Sequence, residues 1–190
     1  MPTSRPNTIS LVCEWMRHHA NRINSVLDIG VGFGKWGFLS REYIYTWKKD
    51  LTLLEYRNYK DFKVDAIEIF KDIITPLQNE IYNEIYLGCA TEIINEVDDY
   101  DLIILGDIIE HLSKEDGMIL LDKCIKKSMY TILSTPIIFN EGRDVLGNEH
   151  EKHKCVWSLE DFKKPNLRHV EIVGNQRMII YRGERWTSQN

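Results

Sequence analysis

Two stretches of this sequence carry residues whose types and spacing could do chemistry. The first runs from Ser25 to Gly37, SVLDIGVGFGKWG, where Asp28 precedes Gly30, Gly32, Gly34 and Gly37. Glycines there let the backbone take positive φ and let a ligand come close to main-chain N–H groups at the start of a helix. Gly32, Gly34 and Gly37 also spell the GxGxxG of a dinucleotide site. A pyrophosphate beside Asp28 would be repelled, however, whereas the ammonium of an amino acid would be held. The second stretch is Asp107 to Leu112, DIIEHL. Its Asp107, Glu110 and His111 stand at i, i+3 and i+4, so a helical turn points all three one way, a grouping able to hold or move a proton. A ligand-free glycine turn, or a Glu and His that only shape their own turn, would use the same residues.

The elements that must position these groups follow from periodicity. Val26 to Ile29 reads as a buried strand feeding the glycine loop, and Lys35 to Lys48 as the helix after it. Lys49 to Lys63 is longer than a tight connection needs and predicts a hairpin or short helix inserted beside the active site. Val64 to Ile69 is a second strand with Glu68 near its end, Phe70 to Asn79 a helix with Pro76 near its end or at a break, and Glu84 to Leu87 a third strand entering Gly88, Cys89 and Ala90. The apolar run in Tyr100 to Gly106 marks a central parallel strand whose carboxyl end delivers Asp107. Ser113 and Asp116 begin a helix as N-cap and capping partner. Tyr130 to Ser134 is the fifth strand. A polar loop from Asn140 to Cys155, with Gly142, Gly147, Asn148, His150 and His153, leads to a short helix over Ser158 to Phe162. Arg168 to Val173 and Gln176 to Arg182 form a hairpin through Gly174 and Asn175. Ahead of all this, Ile9, Val12, Cys13, Met16, Ala20 and Ile23 make a helix over Thr8 to Asn24, and from Gly183 the chain is expected to fray.

Composition bounds the rest. The 190 residues suit one domain, with 43% hydrophobic and 28% charged residues, as in a soluble globular protein. A net charge of -5 disfavours nonspecific binding to nucleic acid or anionic membrane. MPTSRPNTIS has no signal-peptide core, no run is long enough to span a membrane, and Cys13, Cys89, Cys124 and Cys155 lack a CxxC pair. The expected compartment is cytoplasmic, with reduced thiols. Trp36 and Trp47 read as core or edge aromatics.

Asp28 to Gly37 resembles motif I, (D/E)xGxGxGxxG, of the class I S-adenosylmethionine (SAM)-dependent methyltransferases, strand-end Glu68 resembles their motif II, and DIIEHL resembles their motif after the fourth strand. The resemblance implies an α/β Rossmann-like, doubly wound seven-stranded sheet of order 3-2-1-4-5-7-6 with the last strand antiparallel. Residues 1–24 would be an extra N-terminal helix, 25–183 the methyltransferase domain and 184–190 a tail. It implies a SAM site of Asp28, Gly30, Gly32, Gly34, Glu68, Ile69, Cys89, Ala90 and Asp107, with Glu68 accepting both ribose hydroxyls. Many relatives carry an acid where Cys89 stands, so the adenine contact lies with the Ala90 backbone or with Glu92.

Methyl transfer to a hydroxyl is helped by a base or a metal. The base candidates are His111, Glu110, His150 and His153, histidine being best matched to neutral pH. HKCVWSLEDF, His153 to Phe162, is similar to a segment of bacterial methyltransferases thought to act on small molecules or sugars. With the DxxEH pattern it is also similar to RNA 3′-terminal ribose 2′-O-methyltransferases, whose metal site would fall on Asp107, Glu110, His111 and His153, a credible set for Mg²⁺ or Mn²⁺. STPI at 134–137 departs from the (D/N/S)PP(Y/F/W) stretch of base-amino methyltransferases, which demotes that reaction. The reading is thus O-methylation of a small molecule or saccharide. Its rivals are the metal-dependent RNA enzyme, a non-catalytic SAM-binding or partner-binding domain, and an NAD-dependent dehydrogenase. The sequence leaves the oligomeric state open.

Overall fold

A computed structural model describes residues 6–138, 141 and 147–186. Its centre is a seven-stranded sheet of order β3-β2-β1-β4-β5-β7-β6. The strands are β1 (Ser25–Ile29), β2 (Lys63–Glu68), β3 (Ile85–Leu87), β4 (Tyr100–Gly106), β5 (Ser128–Pro136), β6 (Leu167–Val173) and β7 (Gln176–Arg182). The first five run parallel, and β7 is antiparallel to both β5 and β6. The order reverses between β1 and β4, and ligands of open α/β sheets bind in the crevice outside the strand ends at such a point.

Successive side chains of a strand face opposite ways, so each central strand feeds two cores. Val26, Leu102, Ile104, Ile132 and Ile180 join one cluster with Val12 and Met16 of the N-terminal helix α1 (Ile9–His19). Leu27, Ile103, Leu105, Leu133 and Ile179 join the other, with Leu120, Leu121 and Cys124 and the indole of Trp157. The first three of those belong to the long helix α6 (Lys114–Lys127), which Ser113 caps by accepting the Asp116 N–H at 3.1 Å. All four cysteines are free thiols. No helix among the described residues is long and apolar enough to cross a membrane.

Several element boundaries differ from the sequence reading. The helix after the glycine loop, α2 (Lys35–Tyr43), stops short of Lys48, and Tyr45–Trp47 is a 3-10 turn. Ile44, Tyr45 and Thr46 gain little from helix because their side chains lose χ1 freedom there. Tyr45 instead donates from its hydroxyl to the Glu55 carbonyl. Trp36 is core, whereas Trp47 is half exposed. The 49–63 insertion forms the short helix α3 (Leu53–Arg57) under a Thr52/Glu55 capping box. Buried Arg41 ties it down, donating to the carbonyls of Tyr59 at 2.6 Å, Phe62 at 2.9 Å and Ile81 at 2.6 Å. Pro76 opens a helix rather than ending one: α4 (Pro76–Ile81) starts behind a Thr75/Gln78 capping box, where a missing N–H costs nothing.

Of the loop expected from Asn140 to Cys155, residues 140 and 142–146, Gly142 among them, lie outside the described residues. The chain does not fray at Gly183. That residue donates its N–H to the Met129 carbonyl at 2.7 Å, Glu184 donates to Ile125 at 2.9 Å, and the Trp186 indole reaches the Tyr130 hydroxyl at 3.1 Å. Residues 187–190 lie outside the described residues.

Candidate active site

The glycine loop leaves β1 with φ of 86° at Gly30, 48° at Gly32 and 85° at Gly34. Its neighbours explain much of its glycine. A Cβ on Gly30 would lie 2.1 Å from Ile108, one on Gly34 2.7 Å from Ile81, and one on Gly37 2.3 Å from the Tyr82 ring. These three positions are therefore demanded by close packing as well as by any ligand. Gln78 of α4 fixes the loop further by donating its amide to the Gly32 carbonyl at 2.9 Å.

Asp28 lies beneath this loop, fully buried, and accepts the Tyr82 hydroxyl at 2.5 Å on Oδ2. Its Oδ1 has no hydrogen-bond partner. Burial pushes its carboxyl up to about 7, against the lowering effect of the Tyr82 hydrogen bond. Lys35, the first residue of α2, is half-buried. Burial lowers its pKa, while the carboxylates of Asp107 and Asp28 favour its charged form.

Glu68 ends β2 with 6% exposure and accepts the Phe70 N–H at 2.8 Å. Burial raises its pKa, and backbone N–H groups of Phe70, Gly32, Val31 and Ile69 oppose that rise. It therefore lies against the glycine loop. Ile69 beside it is exposed. The Gly88 N–H bonds the Glu68 carbonyl at 2.8 Å, bringing Cys89 and Ala90 to the same strand end. They open the short helix α5 (Ala90–Ile93), both half-buried, with Glu92 exposed.

Past β4, Asp107 takes φ of 58°, which a short polar side chain tolerates. It accepts the Ser134 hydroxyl at 2.8 Å. Oriented to meet both acceptors, the Gln176 amide donates to Asp107 Oδ1 at 3.2 Å and to the Thr135 carbonyl at 3.1 Å. The next residues form a 3-10 turn, Ile109–His111, pinned by the Trp157 indole on the Ile109 carbonyl at 3.0 Å and by the Lys154 N–H on the Glu110 carbonyl at 2.8 Å. The second bond returns the distant loop to this turn. It stacks His153 edge-on against His111, ring centroids 4.8 Å apart.

Glu110 is buried and accepts the Thr135 hydroxyl at 3.1 Å. One ligating atom each from Glu110, His111 and His153 lies within 4.8 Å of the others. Burial holds His111 below the ordinary histidine range, partly offset by a backbone hydrogen bond with Lys152 and by Asp107, and its Nδ1 has no partner.

The structure thus brings Glu110, His111 and His153 together. Asp107 is not in that grouping, and His150 is exposed on the Glu149–Glu151 turn. Tyr82, Lys35 and Gln176 were missed. The signal for Gln176 was a polar pair, Gln176 and Arg177, opening an otherwise apolar strand. Nothing local marked Tyr82, because its partner is 54 residues away.

Solved structures carry the same architecture. A SAM-dependent methyltransferase from Archaeoglobus fulgidus aligns with TM-score 0.59 at 15% identity over 91% of this chain and 93% of its own. Magnesium protoporphyrin IX methyltransferase (ChlM) from Synechocystis PCC 6803, solved with SAM bound, aligns with TM-score 0.61 at 14% identity over 93% and 78%. The PH0226 protein from Pyrococcus horikoshii OT3 aligns with TM-score 0.63 at 18% identity over 94% and 88%. No family model and no curated protein matches this chain. The chain has the fold of the class I SAM-dependent methyltransferases, with the strand order the motifs implied.

Proposed function

We propose that this protein is a SAM-dependent methyltransferase that methylates a hydroxyl of a small molecule or saccharide. The observation that carries this is Glu68 against a positive-φ glycine loop at one end of the sheet crevice, with Glu110, His111 and His153 grouped beyond the next strand. Gly30, Gly32 and Gly34 shape the floor, Glu68 offers acceptors to the ribose hydroxyls, and Ile69, Cys89 and Ala90 flank the adenine side. Asp107 faces the amino-acid end, with Asp28 behind the loop. The bound cofactor supplies a methyl group activated as a sulfonium. His153, paired with His111, takes the acceptor's proton at an imidazole nitrogen, and buried Glu110 fixes the pair and stabilises the imidazolium that results. Orienting the hydroxyl in line is the other contribution, since a sulfonium needs positioning more than activation.

A second reading is supported by the same three side chains. A carboxylate and two imidazoles are a donor set for a divalent cation, which would activate a ribose 2′-hydroxyl of RNA. Ligands at about 2.1 Å from one ion lie no more than about 4.2 Å apart, so a separation of up to 4.8 Å requires the side chains to close by a few tenths of an ångström. The net charge of -5 speaks against an RNA partner.

Methyl-labelled SAM offered with panels of hydroxylated small molecules, saccharides and short RNAs separates the two. The first reading expects label on a small hydroxylated acceptor, unaffected by EDTA. Label on RNA only, abolished by EDTA and restored by Mn²⁺, replaces it with the second. SAM binding with no transfer to any acceptor leaves a binding domain.

A further inference from the structure

Of the stretch HKCVWSLEDF, only His153 acts in the proposed proton transfer. Trp157, four residues on, is almost fully buried and tightly packed. Its ring stacks on Phe162 with centroids 5.3 Å apart, and a Cβ added at Gly117 of α6 would come within 2.5 Å of it. From His153 to Trp157 the chain follows the turn after β4 at three points. The Lys154 N–H meets the Glu110 carbonyl at 2.8 Å, the Cys155 thiol the Leu112 carbonyl at 3.3 Å, and the Trp157 indole the Ile109 carbonyl at 3.0 Å.

A cation holds the far end of this segment. Arg177, the second residue of β7, is buried, and its Nη1 donates to the Trp157 carbonyl at 3.1 Å. Among the described residues no carboxylate pairs with its guanidinium, and its Nε has no partner. Burial works against its charge and Asp161 favours it, but Asp161 is itself bound by Lys114 at 2.8 Å. An arginine kept inside without an ion-pair partner costs desolvation that packing alone does not offset. What it supplies is a charge-assisted bond of fixed direction to a carbonyl. The register places it for that purpose. Arg177 is paired with Thr135 across β5 and β7, and the Thr135 hydroxyl holds Glu110 at 3.1 Å. Two neighbouring residues therefore grip the two halves of the site, Thr135 the buried carboxylate and Arg177 the segment that carries His153.

We infer that Arg177 is a positioning residue for His153: by fixing the Trp157 carbonyl it sets the course of the 153–157 segment, and so the edge-on approach of His153 to His111. The inference rests on the reading of His153 as the base, but the contact between the two rings is measurable without an acceptor. Arg177 acts through Trp157 and touches neither cofactor nor acceptor.

The test is the nuclear Overhauser contact between ring protons of His111 and His153, whose centroids lie 4.8 Å apart, recorded in EDTA. The stacked rings of Trp15 and His19 on α1, 4.0 Å apart, serve as the control. Arg177→Met, close in length and without a donor, should lose most of the His111–His153 contact and keep that of Trp15 with His19. Arg177→Lys, which keeps a charged donor, should retain part of it. With an acceptor that takes label, Arg177→Met should lower kcat about tenfold or more with the KM for SAM unchanged, and should cost nothing further in the His153→Ala background. An intact His111–His153 contact in Arg177→Met, loss of both ring contacts, or a further loss on top of His153→Ala would overturn the inference. If His153→Ala alone leaves turnover unchanged, the base reading falls, and the ring contacts still decide what Arg177 positions.

Discussion

The two sides of the crevice are built by different means. On the glycine-loop side the titratable groups are held mostly inside the fold: Asp28 through Oδ2 by Tyr82, with Oδ1 unpartnered, Glu68 by backbone N–H groups, and Lys35 in the field of two carboxylates. On the far side, Glu110 is anchored by Thr135, but His111 keeps an unpartnered Nδ1, and the donors come from a tight turn and a returning loop. A cofactor site gains from rigid, pre-formed contacts, whereas proton transfer needs a group whose protonation can change. The comparison teaches that the packed side suits the proposed cofactor contacts and the side of polar loops the proposed proton transfer.

The contrast is most easily broken on the far side. His153→Ala is expected to lower turnover by about 10²–10⁴-fold with cofactor affinity unchanged. Unchanged turnover, checked by formation of S-adenosylhomocysteine, would retire His153 as the base. Next in size, Gly30→Ala forces a side chain into left-handed backbone against Ile108 and should cost about 3 kcal/mol or more. Ile108→Ala in the same chain should return part of that loss. Strict additivity in denaturant unfolding would show that the 2.1 Å approach is not what requires glycine there.

A smaller effect probes the buried pair. Asp28 has a folded-state pKa near 7, raised from 3.8 chiefly by burial and also by Glu68, while Tyr82, the Gly37 N–H and Lys35 lower it. The folded state therefore holds the proton longer than the unfolded chain, so its stability falls as pH rises from about 4 towards 7. Tyr82→Phe removes the donor and should destabilise by roughly 1 kcal/mol at pH 5, where the carboxyl is neutral, and by about 2 kcal/mol or more at pH 8. Thermal melts showing one value at both pH values would place the Asp28 charge elsewhere. The smallest effect is that of Gln176→Ala, about 1 kcal/mol, through two lost bonds to Asp107 and Thr135.

How much of this was legible in the sequence follows from the same contrast. Asp28, the glycines, Glu68 and Asp107 sit at or beside strand ends, and strands announce themselves through apolar periodicity, so these positions could be read directly, whereas the sheet order came from the resemblance of the motifs to a known family. His153 was legible as a residue type, but its meeting with His111 depends on one backbone bond, Lys154 to Glu110, that no pattern encodes. Pro76 misled because a proline at a helix start looks in sequence like a break, and Thr75 with Gln78 was the overlooked sign of a beginning. Gly183 misled for a related reason: a Cβ there would lie 1.9 Å from the Ser128 carbonyl oxygen, so it is a packing glycine rather than the start of a loose end.

The central claim is that this crevice is built for an adenosyl amino acid, with Glu68 as the adenosine anchor. Titration calorimetry of wild type and Glu68→Ala with S-adenosylhomocysteine and with NAD tests it directly. The account predicts saturable one-to-one binding of S-adenosylhomocysteine to wild type, weakened about tenfold or more in the variant, and no heat from NAD. Binding of NAD in its place, or binding of S-adenosylhomocysteine that ignores the loss of Glu68, would contradict it.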